Sequence, residues 1–124
     1  MMYPKPAYKK RRKQHKKSIL QAKDGTCYLC TRLNGDYSHK TLQEHHIFGG
    51  ANRIHSEAYG LKVYLCVEHH TEGKAAVHNN IDNMRLLQAE GQRAFEREHT
   101  RAEFMRIFGR NYLEDGDGAQ GTNR

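Results

Sequence analysis

Apolar residues are scarce in this chain, at 36% of 124 residues with a mean hydropathy of −0.98. A chain of that length holds one domain, and a core so small calls for a staple. No apolar run approaches the ~20 residues of a membrane span, so no membrane partner is expected. The N-terminus also lacks an apolar segment behind its charges, which argues against a secretory signal and for a cytoplasmic protein. There are three cysteines, an odd number that cannot complete a disulfide framework; in a reducing compartment such residues more often serve a metal. Internal repeats are missing too.

Acid is absent from residues 1–23, which hold nine of the 21 lysines and arginines. The other 101 residues carry 12 basic and 14 acidic side chains, a balance of −2, so the formal +7 belongs to the N-terminal segment. A block of like charges repels itself, and residues 1–23 are expected to form a flexible basic arm. Through Lys9, Lys10, Arg11, Arg12, Lys13, Lys16 and Lys17 such an arm would neutralise phosphates and release counterions, which gives nucleic-acid affinity without base readout. The plainer alternative is a solubilising extension. Residues 114–124 contain no large apolar side chain and are expected to be a disordered tail. That leaves 24–113 as the folded domain.

Within it, Leu61–Leu65 alternates and is β-rich, which predicts a strand, with Thr41–Ile47 as its partner and 48–51 turning the chain away. From about residue 80 the period becomes helical: Ile81, Met84, Leu87, Ala94 and Phe95 fall on one face, with Asn80 or Asp82 as cap. Thr100–Glu103 has capping-box spacing and opens a shorter helix that carries Phe104, Met105, Ile107 and Phe108 and stops at Gly109. Both helices read as packing elements. The fold class is therefore a small α+β domain with C-terminal helices.

Cys27-Tyr28-Leu29-Cys30 is a C-x2-C pair, and Cys66-Val67-Glu68-His69 follows as C-x2-H. Two such knuckles supply the four soft or imidazole donors that tetrahedral zinc requires, and they use every cysteine. A four-ligand site has no open position, so this Zn2+ would be structural, supplying folding free energy on the order of 10 kcal/mol. Burial of the cysteines as small hydrophobes is the competing account.

The staple takes one of nine histidines. His39, His45, His46, His55, His70 and His78 crowd the same region, and most would ordinarily be surface or hydrogen-bonded side chains. His45 and His46 end the first strand, so their rings point to opposite faces. His70 directly follows a zinc ligand, which fixes its place. If the second knuckle lies beside that strand, His45, His46 and His70 would surround one site, with an imidazole to accept a proton from water and others to hold a divalent ion.

The order C-x2-C, then Glu44-His45-His46-Ile47, then Gly-Leu-Lys-Val-Tyr-Leu-Cys-Val-Glu-His-His at 60–70 resembles the HNH (ββα-metal, His-Me finger) endonucleases in their zinc-stapled form. With Ala76–Asn79 and the Phe-Gly-Arg-Asn-Tyr-Leu at 108–113, it is similar to small phage- and prophage-encoded members. The resemblance covers about 27–113. It implies a ββα-metal core and hydrolysis of DNA phosphodiesters, with phage recombination, repair or processing as the setting and a host-cell cytoplasm as the place. It further implies His46 as the general base, His45 as a ligand to a catalytic Mg2+ or Mn2+, and His70 as the second ligand. His78 competes for that role from the first turn of a helix beginning near residue 76. The pattern's middle asparagine, expected about six residues before Cys66, is replaced here by Gly60; Asn52 and Asn79 lie near but out of register. Two other readings remain: a zinc-stapled nucleic-acid-binding module that cuts nothing, and a subunit that works as a homodimer or inside a phage recombination or packaging complex.

Overall fold

The computed structural model describes residues 16–113. Lys9, Lys10, Arg11, Arg12, Lys13 and the expected tail at 114–124 lie outside the described residues. Along them run α1 (Tyr28–Asn34), β1 (Leu42–His46), α2 (Arg53–Tyr59), β2 (Lys62–Cys66), α3 (Ile81–Glu96) and α4 (Arg101–Phe108). A 3-10 turn (Gly50–Asn52) leads into α2, and a π turn (Glu68–Glu72) follows β2. The architecture is a small α+β fold with one two-stranded antiparallel sheet.

The two strands lie where alternation places them, with Leu42 opposite Cys66 and His46 opposite Lys62. That register sets a cysteine at one end of the sheet and a histidine–lysine pair at the other. β2 departs from a half-buried strand, because all five of its residues are buried. The reason is residues 18–23, which cover its free side. Ser18 Oγ donates to Lys62 O at 2.5 Å, Tyr64 N donates to Gln21 Oε1 at 2.8 Å, and Ile19 N donates to Gly60 O at 3.0 Å. The last residues of the basic segment therefore belong to the fold, and its boundary falls nearer Ser18 than residue 24.

Gly60 ends α2 at a φ of 72°, and a Cβ there would lie 2.4 Å from Lys17 O. No asparagine fits that position, which accounts for the glycine where the resemblance expects one. At Gly91 a Cβ would sit 3.2 Å from both Ile47 and Phe48, so the missing side chain lets α3 press against the chain leaving His46. Phe48 continues into a cluster with Phe104 and Phe108, at ring separations of 5.4 and 4.9 Å. Burial of aromatics of this size dominates a core with few apolar residues.

α3 and α4 start and stop as their caps require. Asn80 Oδ1 accepts from Asn83 N at 3.0 Å, and Thr100 and Glu103 form the reciprocal capping box. Ile81 and Met105, expected on the buried stripes, are instead exposed: Ile81 is the first residue of α3, and Met105 shares the solvent face of α4 with Arg101, Ala102 and Arg106. α1 and α2 carry no apolar stripe to mark them. α1 grows out of the first knuckle, where Cys27 Sγ accepts from Cys30 N. α2 is held by Ser56, whose buried hydroxyl accepts from Phe48 N and donates to Phe48 O, both at 2.9 Å. This clamp sets α2 against the chain just past His46.

Candidate metal centres and histidine cleft

Cys27, Cys30, Cys66 and His69 are all buried, and their donor atoms lie together. His69 Nδ1 stands 3.6, 3.4 and 3.6 Å from the sulfurs of Cys27, Cys30 and Cys66, and Cys30 and Cys66 are 3.8 Å apart. A tetrahedron with metal–sulfur and metal–nitrogen bonds of about 2.3 and 2.0–2.1 Å has edges of about 3.8 and 3.5 Å. The four donors thus stand at the separations that one shared ion imposes. None of the three cysteines is in a disulfide. Burial, together with the adjoining thiols, pushes Cys30 up to about 12. At Cys66 burial also works against the thiolate, but backbone N–H groups of His69 and Glu68 and the neighbouring thiols outweigh it and lower its pKa. Three thiolates packed this closely need a cation among them, and a Cys3His set is one that zinc favours.

The π turn carries the chain from this cluster to a second one. Its closing bond runs from Gly73 N to Glu68 O at 3.0 Å. His69 faces the sulfurs, while His70 faces the strand, its Nδ1 2.7 Å from Gln43 Oε1. An acceptor at that distance keeps the proton on Nδ1 and leaves the Nε2 lone pair for another partner. His45 and His78 complete a triad with ring separations of 5.2 Å (His45–His70), 5.5 Å (His45–His78) and 5.0 Å (His70–His78). One donor atom from each lies within 4.8 Å of the others. His70 and His78, the two candidates between which the sequence left a choice, both lie beside His45. His78 does not lie in a helix beginning near 76, however: α3 starts at Ile81, and His78 sits in the turn before it. Asn79, out of register as the pattern's middle asparagine, ties that turn down by donating to Thr71 O (3.0 Å) and Gly73 O (3.1 Å).

Burial, then the imidazoles of His70 and His78, lower the His45 pKa to about 4. His70 is lowered for the same two reasons, burial and then His78. Both rings are held neutral, the form that offers a lone pair to a metal.

His46 points to the other face of β1, as alternation requires. Its Nε2 lies 2.8 Å from Glu57 Oε1, and Arg53 Nε donates to its Nδ1 at 3.4 Å. His45, His46 and His70 thus do not ring a single point. His45, His70 and His78 converge, and His46 stands beside them on the wall of one cleft of about 410 Å³, floored by Met84 and Gln88 of α3. Glu57 and Arg53, on α2, carried no signal in the sequence; only a helix of seven residues folded over the strand end brings them here. Glu44 Oε2 lies 2.9 Å from Lys62 Nζ. Lys62 is 2% exposed and also reaches both oxygens of Glu57, at 3.3 and 3.4 Å. Burial acts to lower the Lys62 pKa, but the hydrogen bonds to Glu44 and Glu57 outweigh it and raise it, so the ammonium stays charged. Glu44, His46 and Glu57 also cluster within ligand distance, yet Lys62 already supplies their cation.

Of the expected nucleic-acid residues, Lys16 and Lys17 are described; both are exposed and lie where the chain passes over Gly60. His39 and His55 stand apart from the cleft, His55 against the Phe108 ring at 5.9 Å. Among the described residues no helix is long and apolar enough to cross a membrane. No protein-family model, curated protein or solved structure matches this chain.

Proposed function

We propose that this protein is a metal-dependent DNA endonuclease of the HNH (ββα-metal) type, stapled by zinc. The observation that carries the reading is the convergence of His45, His70 and His78 beside His46 in one cleft. A structural staple explains Cys27, Cys30, Cys66 and His69, but it leaves four further histidines at one place without a purpose. Three protein ligands with an open side are the usual form of a catalytic metal site, whereas four are the form of a structural one.

In this reading His45, His70 and His78 hold the catalytic ion, and three neutral nitrogen donors suit a first-row transition ion such as Mn2+ better than the oxygen-seeking Mg2+. When bound, that ion supplies Lewis-acid stabilisation of the charge that builds on the phosphoryl oxygens and the departing 3′-oxygen. His46 is the general base. Its Nε2–H is engaged by Glu57, so Nδ1 carries the lone pair that takes a proton from water. The water oxygen bonds to phosphorus in line, the P–O3′ bond breaks, and the 3′-oxygen takes up a proton, leaving 5′-phosphate and 3′-hydroxyl ends. Lys16, Lys17 and the basic residues before them hold the phosphate backbone without reading bases.

The test is nicking of supercoiled plasmid by the zinc-loaded full chain with Mn2+. His46→Ala is expected to lose about 100-fold or more, the usual worth of a general base. Undiminished nicking by that variant removes His46 from the base role. A wild-type protein that nicks nothing and holds a single zinc would instead be the binding module.

A further inference from the structure

His46 is held from two sides, and the group that holds it is itself held. On α2, Glu57 sits 2.8 Å from His46 Nε2 through Oε1, and the same oxygen lies 3.3 Å from Lys62 Nζ. Lys62 stands directly across the sheet from His46 and is almost wholly enclosed. Its second carboxylate partner, Glu44, is two residues before His46 on the same strand. α2 cannot drift, because Ser56, the residue before Glu57, is clamped to both the N–H and the C=O of Phe48. Each link is anchored to backbone that leaves or faces His46.

We infer that Glu57 is the positioning residue for the histidine base: seated by Lys62, it accepts the His46 Nε2–H and so turns the Nδ1 lone pair toward the cleft. The inference rests on the nuclease reading for its consequence in catalysis, but its structural half stands alone. A neutral imidazole in water exchanges its proton between two nitrogens and spins about its side-chain bonds. A carboxylate at hydrogen-bond distance from one nitrogen selects one tautomer and one ring orientation. Arg53 adds only weakly to the selection, because its N–H reaches Nδ1 at 3.4 Å, a long hydrogen bond from an exposed side chain. Arg53 is exposed and can swing aside when a phosphate enters; Glu57 cannot, being tied to Lys62.

The role differs from that of a plain ion pair. Oε1 is the atom shared by His46 and Lys62, so a glutamine at this position would keep its carbonyl oxygen there. An amide NH2 there would face both the His46 N–H and the ammonium, whereas at the Oε2 position it meets the ammonium alone. Glu57→Gln therefore retains the acceptor and the tautomer, while Glu57→Ala removes both. Glu57 is partly exposed, so neither change opens a buried cavity.

The experiment is long-range ¹H–¹⁵N correlation of the histidine rings in the zinc-loaded full chain, without added Mn2+. The spectra are recorded at a pH of about 8, above the ordinary imidazole value of about 6.5. The His46 signal is assigned by its loss in His46→Ala. The expected result is an Nε2–H tautomer in the wild type and in Glu57→Gln, and a mixture of tautomers in Glu57→Ala. In parallel, plasmid nicking with Mn2+ should fall about 10-fold or more in Glu57→Ala and stay within about 3-fold in Glu57→Gln, as a loss of orientation predicts. A His46 ring that keeps its pure Nε2–H tautomer in Glu57→Ala overturns the inference. So does a Glu57→Gln variant as impaired as Glu57→Ala in either readout, or a changed tautomer with unchanged nicking. If the wild type does not nick DNA, the nuclease reading fails, while the ring spectra still decide whether Glu57 sets the tautomer.

Discussion

His69 and His70 are neighbours in one π turn, yet they serve two clusters of opposite character. His69 joins three cysteines in a buried set of four donors with no side left open. His70 joins His45 and His78 in a set of three that grades from buried to exposed and opens on a cleft. The first is built to close around an ion and stay closed, which is how a domain with a small apolar core gains stability. The second keeps room for something to arrive. Sharing a turn couples the two: an ion held by the sulfur cluster fixes the turn that presents His70, and by linkage an ion at the histidines favours the same turn.

Breaking the closed cluster should have the largest effect. Cys66→Ser removes one of four ligands, and the expected loss is on the order of 10 kcal/mol, comparable with the whole stability of a small domain. Zinc content should drop from one ion per chain toward none, the cooperative thermal transition should vanish, and Mn2+ binding should go with it. A Cys66→Ser protein that melts as sharply as the wild type would show that no metal staples the fold.

A smaller effect separates the clusters by pH. His45 is neutral in the fold, its pKa lowered to about 4 by burial and then by His70 and His78, against 6.5 in the unfolded chain. Above about 6.5 neither state binds the proton and nothing is lost. As pH falls below that value, the unfolded chain takes up a proton that the folded one refuses until about 4, so stability is lost across this window. The amount is on the order of 3 kcal/mol in protein without added divalent ion. His45→Asn should lack this slope, while the acid response of the sulfur cluster, common to both proteins, cancels in the difference. Equal falls in melting temperature between pH 7 and 5 would mean that His45 is not held neutral.

The smallest change sharpens the contrast at the turn itself. Asn79→Ala removes two hydrogen bonds to carbonyls of the 71–73 segment and should cost about 1–2 kcal/mol. Zinc content should stay at one ion per chain, while Mn2+ affinity, measured by calorimetry, should weaken several-fold because the His78 turn is loosened. Loss of zinc instead would place Asn79 in the support of the closed cluster.

Much of this was readable from neighbouring residues. The two strands follow from alternation, the helix starts from Asn80 and the Thr100–Glu103 box, and the four-donor set from paired two-residue spacers. Each is a local rule, in which side chains a few positions apart fix one another. His45 and His46 on opposite faces is a rule of the same kind. The helix Arg53–Tyr59 obeys none of these: its Ile54 is 70% exposed, and it has no apolar stripe because it is held by Ser56 and by its contacts with the strand end.

The sequence by itself determined an α+β domain, a Cys3His donor set and a histidine-rich stretch, because spacing and period belong to the chain. Only the tertiary structure decided that His78 joins His45 and His70 from a turn rather than a helix, and that Glu57 and Lys62 stand behind His46. Those partners are brought together by packing across an antiparallel register and by a buried serine clamp. Residues so placed share no periodicity that a reading along the chain can detect.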